Sequence, residues 1–198
     1  VYRQMTMAVY AQRQLQQVVA EFWNNHFNTD WNQVYETYFP AQDTTADTQY
    51  REMEHLRYYA FNGTFRDMLE MSALGPAMIP YLDTTENVLG KPNENFGREL
   101  MELFTLGHGS GYTERDVREQ ARALTGFTAH YKNGYGWIKF RFDRNRHDDA
   151  MKVVFDKAGP YGWKQAVKLT IDHPAHKTFF TRKLWGYFIP EPADDETQ

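Results

Sequence analysis

The sequence predicts a mainly α fold, a helical, bundle-like domain that carries one small β-hairpin. Three observations predict it. Apolar side chains recur at helical spacing over most of the chain. Capping and stop residues punctuate those runs. One stretch alone, residues 127–142, alternates apolar and polar side chains as paired strands do.

The first run, residues 2–27, reads as one long helix with Leu15, Val18, Val19, Phe22 and His26 on one face. It ends in the aromatic-amide cluster Phe22-Trp23-Asn24-Asn25-His26-Phe27. Residues 40–48 are polar and read as a loop, and a helix over about 49–59 follows. Asn62-Gly63 breaks that helix, and Thr64 can cap the next, which runs to residue 74. Gly75-Pro76 ends it and opens a short helix to residue 82, before a loop over 83–92. A helix over about 93–106 then closes at Gly107. Thr113, with Asp116 three residues on, has the form of a capping box. The helix it opens carries the stripe Val117, Ala121, Leu124 and stops at Gly126. Strands over 127–131 and 137–142 flank the turn signal Asn133-Gly134. Ile138, Phe140 and Phe142 share one strand face, and Trp137, Lys139 and Arg141 the other. Two helices close the chain, about 162–172 and 174–189, the second with Pro174 in its first turn.

Residues 1–189 are therefore read as a single helical domain and 190–198 as an acidic tail or linker. The domain is expected to be part of a longer chain. Its first helix starts at Val1 without a cap, and Tyr2, Met5 and Val9 carry the apolar stripe to its beginning.

Composition removes several classes of function. With no cysteine there is no disulfide, thiolate zinc site, iron–sulfur cluster or cysteine nucleophile. Net charge is −4, with no basic patch of the kind nucleic acid requires, and no apolar run approaches a membrane span. Aliphatic residues are few, but 14 Phe, 13 Tyr and 5 Trp can build a core from rings. Phosphate-binding glycine loops, a nucleophile elbow and a His-Glu-x-x-His motif are all missing.

The densest candidate site lies within residues 91–104. At helical spacing Asn95, Arg98, Glu99 and Glu102 share one face, while Phe96, Leu100, Leu103 and Phe104 take the other. Two close carboxylates can divide into an acid and a base when burial separates their pKa values. They can also hold a hard cation, although Arg98 among them would neutralise the carboxylates and repel it, so no metal is expected. The competing reading is a solvated face laced by Glu94–Arg98–Glu102 pairs. Gly97 in mid-helix points to a backbone or ligand packed close. A second candidate is Arg146-His147-Asp148-Asp149, where imidazole beside two carboxylates suits a proton shuttle or a metal ligand, against a plain polar turn. His26 reads as a core histidine, and Asp172-His173-Pro174 as a helix boundary. The rings Trp137, Tyr131, Tyr135 and Trp163 read as core sooner than as a sugar-stacking platform.

Several segments resemble one bacterial family, the DUF 1800 family, a domain of unknown function. They are Phe61-Asn62-Gly63-Thr64-Phe65-Arg66-Asp67-Met68-Leu69, Pro76-Ala77-Met78, Tyr81-Leu82-Asp83 and the long block from Gly90-Lys91-Pro92-Asn93-Glu94-Asn95 through Arg98-Glu99-Leu100-Met101-Glu102-Leu103-Phe104-Thr105-Leu106-Gly107. Further matches are Tyr112-Thr113-Glu114, Asp116-Val117, Ala121-Arg122-Ala123-Leu124-Thr125-Gly126, His147-Asp148, Lys152, His173-Pro174 and Arg182-Lys183-Leu184-Trp185. The family pattern falls on Asn93, Glu94, Asn95, Arg98, Glu99, Glu102, His147 and Asp148. This chain departs from it at Phe96-Gly97, where Tyr-Ala is expected, and at Phe155-Asp156-Lys157, where Leu-Gly is expected.

The resemblance implies a longer parent chain and export to the periplasm or the exterior. It implies as partners the rest of that chain or another protein, with a neighbour-encoded sulfatase-like protein as a candidate. It carries no established catalytic residue. Two functions stay open. One is a structural or binding module of a larger assembly, in which Asn93, Glu94, Asn95 and Arg98 bind or brace. The other is a hydrolase using Glu99 or Glu102 as acid or base, with His147 and Asp148 assisting. Neither needs a cofactor. Arg98 is expected to be buried and paired with Glu94 or Glu102.

Overall fold

The computed structural model describes all residues except 1, 31, 33, 35–41, 133–135 and 190–198. It is mainly α with small β-hairpins, as the sequence predicts. The residues gather into two compact units, one of 1–81 with 131–139, the other of 82–130 with 140–198.

In the first unit, two helices replace the single one expected over 2–27: α1, Tyr2–Tyr10, and α2, Gln14–His26. No Gly or Pro marks the break. The Gln14 side-chain amide donates to the Ala11 carbonyl at 2.9 Å, which satisfies a helix-end acceptor that apolar spacing cannot register. The next helix, α3, Gln42–Asn62, starts seven residues before its expected beginning and takes in most of the expected loop. Residues 42–48 are polar but contain no Gly or Pro, so nothing there stops a helix. α3 packs on α2, and Arg57 ties the pair, with Nε donating to Gln17 Oε1 at 2.7 Å and its carbonyl accepting from Gln16 Nε2 at 3.0 Å. Thr64 caps α4, Phe65–Ala73, in a full capping box with Asp67. A one-turn helix, α5, Met78–Tyr81, follows. His26 is a core residue, packed with Phe22, Trp23, Phe27 and Phe65 at ring separations of 4.6–6.2 Å.

The second unit is built on two helices in backbone contact. α6, Asn95–Glu99, runs on as a π-helical segment over Leu100–Thr105. α7, Glu114–Ala123, opens with the expected Thr113–Asp116 capping box. Gly97 sits where they meet. A Cβ there would stand 3.2 Å from the Ala121 backbone nitrogen, so the mid-helix glycine marks a close backbone approach. Asn87, wholly buried, ties α7 to the loop before α6: its amide donates to the Ala121 carbonyl at 2.9 Å and its Oδ1 accepts from the Asn93 N–H at 2.9 Å.

Strands β1, Phe127–Lys132, and β2, Gly136–Phe142, form the expected pair, and the Asn133-Gly134 turn lies outside the described residues. Phe127 stacks on Phe96 and meets Phe140 and Trp163, so the half-buried Trp163 ring packs against a core ring. The side chain of Ile138 and the other rings of the proposed stacking platform also fall outside. Helices α8, Trp163–Ile171, and α9, Ala175–Phe188, complete the unit.

A second, unexpected hairpin pairs β3, Lys152–Val154, with β4, Lys157–Gly159. Its two turn residues, Phe155 and Asp156, both have left-handed backbone, at φ 51° and 58°. Such a turn favours Asn-Gly or Asp-Gly, and this chain places neither there, so sequence signals pass over it. A left-handed residue other than Gly costs roughly 1–2 kcal/mol. Asp156→Gly should therefore raise stability by about 0.5–1 kcal/mol, read as an upward shift of the thermal midpoint. A downward shift would refute the turn geometry.

Candidate functional site

The helix over 95–105 is set by its surroundings more than by propensity. Asn93 Oδ1 accepts the Asn95 N–H at 2.9 Å, and the Asn95 amide reaches Asp83 Oδ2 at 3.4 Å. From Leu100 the pitch widens. The Leu106 N–H bonds the Met101 carbonyl at 2.8 Å, five residues back, and the Thr105 hydroxyl donates to the Leu100 carbonyl. The segment ends at Gly107, whose φ of 87° is left-handed and whose missing Cβ leaves room for the Phe179 ring. π-helical turns are rare and cluster at functional sites. Here the wider turn also rotates residues past 100 away from the regular helical face.

Arg98 is paired but not buried, which corrects the expectation. Its guanidinium donates to Glu94 Oε2 at 3.0 Å and to both oxygens of Glu114, at 2.9 and 2.7 Å. The side chain keeps 35% of its exposure and Glu114 keeps 65%. Glu114 closes this bridge because it opens α7, a tertiary placement that spacing along one helix cannot reveal.

Glu102 turns elsewhere. Oε1 holds His108 Nδ1 at 2.8 Å, and Oε2 accepts the Tyr112 hydroxyl at 3.4 Å. Burial, joined by the Glu102 charge, raises the Tyr112 phenol. Glu99 lies between the two pairs. Its Oε2 is buried and has no hydrogen-bond partner. Burial and the neighbouring Glu102 raise its carboxyl, against a smaller opposing pull from Arg98.

His147 and Asp148 belong to a different network. His147 is buried and donates Nδ1–H to the Thr125 carbonyl at 2.8 Å, since a carbonyl can only accept. Asp148 accepts Arg122 Nε at 2.7 Å and the Ala150 N–H at 2.9 Å, and its own N–H donates to Thr125 Oγ1 at 2.8 Å. Burial pushes this carboxyl up, but those donors and the Arg122 and Lys152 charges outweigh it and hold it low. Arg122 Nη1 also grips both oxygens of Glu119 at 2.9 Å. Glu119 Oε2 accepts the Val153 N–H at 2.9 Å, and Asp116 Oδ1 accepts the Phe155 N–H at 2.7 Å. Two acids of α7 thus hold the backbone of the second hairpin. Beneath it Lys152 is fully buried, its ammonium donating to the carbonyls of Asp148 and Ala150.

The candidate residues therefore fall into two groups. Asn93, Glu94, Asn95, Arg98, Glu99 and Glu102 lie along the helix over 95–105 and its approach. His147 and Asp148 lie with Thr125, Arg122 and Lys152. Among the described residues no hydrogen bond or ion pair joins one group to the other. His108, Tyr112, Glu114, Glu119 and Arg122 had no place in the expected site. Among the described residues of this unit, a cleft of about 440 Å³ is bordered by Asp116, Phe155, Lys157 and His173. Another, of about 690 Å³, is bordered by His108, Phe179 and Lys183. Among the described residues no three His, Asp or Glu side chains converge as a metal-ligand set. No helix there is long and apolar enough to cross a membrane.

A family model described as "Protein of unknown function (DUF1800)" matches residues 1–198. No curated protein and no solved structure matches the chain.

Proposed function

The chain belongs to the DUF1800 family of proteins of unknown function, and on that premise we propose that it is a structural or binding module of a larger extracellular or periplasmic assembly. One observation carries the reading. Several ion pairs and charged side chains of the second unit bridge one element to another. Arg98 joins α6 to α7, Arg122 joins α7 to the segment after β2, and Asp116 and Glu119 hold the second hairpin. The mostly buried part of this network, Arg122 with Asp148 and Glu119, is of the kind that fixes a core's geometry.

Exposed apolar side chains on the first two helices support a partner, either the rest of a longer chain or another protein. Met5, Val9, Tyr10 and Leu15 are each at least 60% exposed. Residues 1–198 purified alone should associate at micromolar concentration, read as mass by light scattering. A stable monomer across that range would count against the partner surface.

A hydrolase is the second reading, and Glu99 favours it. A half-buried carboxyl with a raised pKa beside a second carboxylate is the arrangement that separates an acid from a base. In this reading Glu102 orients His108, and His147 acts only through its own network. Screening the purified protein against phosphate, sulfate and carboxylic esters and glycosides separates the two. No turnover above buffer is expected. Turnover that disappears in both Glu99→Gln and Glu102→Gln would replace the module with the enzyme.

A further inference from the structure

The cleft of about 440 Å³ collects groups that the network above leaves unspent. It lies between the start of α7, the second hairpin and the junction of α8 with α9, and Arg115, Phe155, Lys157, Leu169 and His173 border it. Among the described residues the side chains of Arg115 and Lys157 make no hydrogen bond and no ion pair. Asp116, the acid beside Arg115, already spends both oxygens. They take the Thr113 and Phe155 N–H groups at 2.8 and 2.7 Å and the Thr113 hydroxyl at 2.7 Å. His173 is half-buried, and its Nδ1 accepts the Ala175 N–H at 3.3 Å, which leaves the ring proton on Nε2. Burial pushes this imidazole below its ordinary value, against a smaller pull from Asp116, so at neutral pH the ring is uncharged and has one N–H to give. The Asp116 bond also holds Phe155 in its left-handed backbone, with its ring 4.7 Å from the His173 ring. Backbone strain kept in place by its surroundings is a feature of ligand clamps. Half-buried Leu169 adds apolar wall beside the rings.

We propose that this cleft binds a small carboxylate on an apolar, ring-bearing body, with Arg115 and Lys157 meeting the carboxylate, His173 Nε2–H donating to it, and Phe155 and Leu169 packing the body. Charge-assisted hydrogen bonds give the affinity, and the apolar wall selects against a bare ion. Asp116 and the exposed Asp156 also border the cleft. Their charges repel a dianion more than a monoanion, which favours a carboxylate over a phosphate monoester. The site is independent of whether the protein catalyses anything, so its failure would leave the module reading intact.

Titration calorimetry at neutral pH tests it with four probes: benzoate, acetate, benzyl alcohol and phenyl phosphate. Benzoate should bind in the micromolar to millimolar range and weaken as salt rises. Acetate and benzyl alcohol should each bind at least about tenfold more weakly, having lost the ring or the charge, and phenyl phosphate should also bind more weakly than benzoate. Arg115→Gln and Lys157→Gln should each weaken benzoate about fivefold and leave the thermal midpoint in place, because both side chains are exposed. His173→Phe keeps a ring against Phe155, removes the N–H and should weaken benzoate as well. Asp156→Asn tolerates the left-handed turn and removes a like charge, so it should tighten benzoate about twofold. The proposal is overturned if benzoate does not bind at millimolar concentration, or if acetate, benzyl alcohol or phenyl phosphate binds as tightly. Undiminished affinity in both Arg115→Gln and Lys157→Gln overturns it too, as does weaker binding in Asp156→Asn.

Discussion

Arg122→Ala should destabilise the protein by about 3 kcal/mol, because it strands two partly buried carboxylates at once. Asp148 and Glu119 keep only 13% and 17% of their side-chain exposure, and Arg122 itself 26%. Removing the guanidinium leaves Asp148 with one backbone N–H and Glu119 with another, each close to its neighbour's charge. The loss should reach the second hairpin, since Glu119 holds its backbone through Val153. Arg98→Ala is the contrast. Its partners are a third to two-thirds exposed, and pairs that wet contribute about 1 kcal/mol or less. Urea denaturation followed by tryptophan fluorescence measures both. Arg122→Lys should fall between wild type and Arg122→Ala, because an ammonium keeps the charge but cannot span both acids in one fork. Equal losses at Arg98 and Arg122 would refute the assignment of Arg122 as the brace.

What the sequence made legible was local. The cap at Thr64 and the capping box at Thr113 need only residues a turn apart, and both form. The close approach at Gly97 followed from the cost of a mid-helix glycine. The buried stripe Val117, Ala121, Leu124 followed from period alone. The site was less legible because it departs from regular geometry. An angular argument at 100° per residue groups Arg98, Glu99 and Glu102, but the π-helical turn after Glu99 sends Glu102 to His108 and Tyr112. Arg98 finds Glu114 across a tertiary gap, and Arg122 finds Asp148 from 26 residues away. No spacing rule reaches that far. The second hairpin was hidden for the opposite reason, since its turn takes left-handed backbone at Phe155 and Asp156 without glycine. Residues 42–48 show that polarity alone does not make a loop when no Gly or Pro interrupts it.

Glu52→Gln should stabilise the protein in mild alkali and leave it nearly unchanged in mild acid. Glu52 lies on α3, with Oε1 against the Gly75 turn, where its one hydrogen bond comes from the Ala77 N–H at 3.3 Å. Burial raises its carboxyl to about 7 from 4.5, and that single amide only partly opposes the shift. The folded state therefore holds this proton more tightly than the unfolded chain does. Its contribution is fully present below the unfolded pKa, near 4.5, and is lost as pH climbs through about 7. The loss by pH 8 amounts to about 3 kcal/mol. Asp116 and Asp148 act in the other direction. Their folded pKa values lie below the ordinary 3.8, so their contribution is present above that value and is lost as pH falls further. Wild-type stability should peak between these limits, on the acid side of neutrality. In Glu52→Gln the alkaline decline should flatten while the acid limb stays in place, because the amide keeps its acceptor for Ala77 and cannot ionise. Urea midpoints measured from about pH 2 to pH 8.5 read both limbs. An alkaline limb equally steep in the variant would show that the carboxyl of Glu52 ionises without cost in the folded protein.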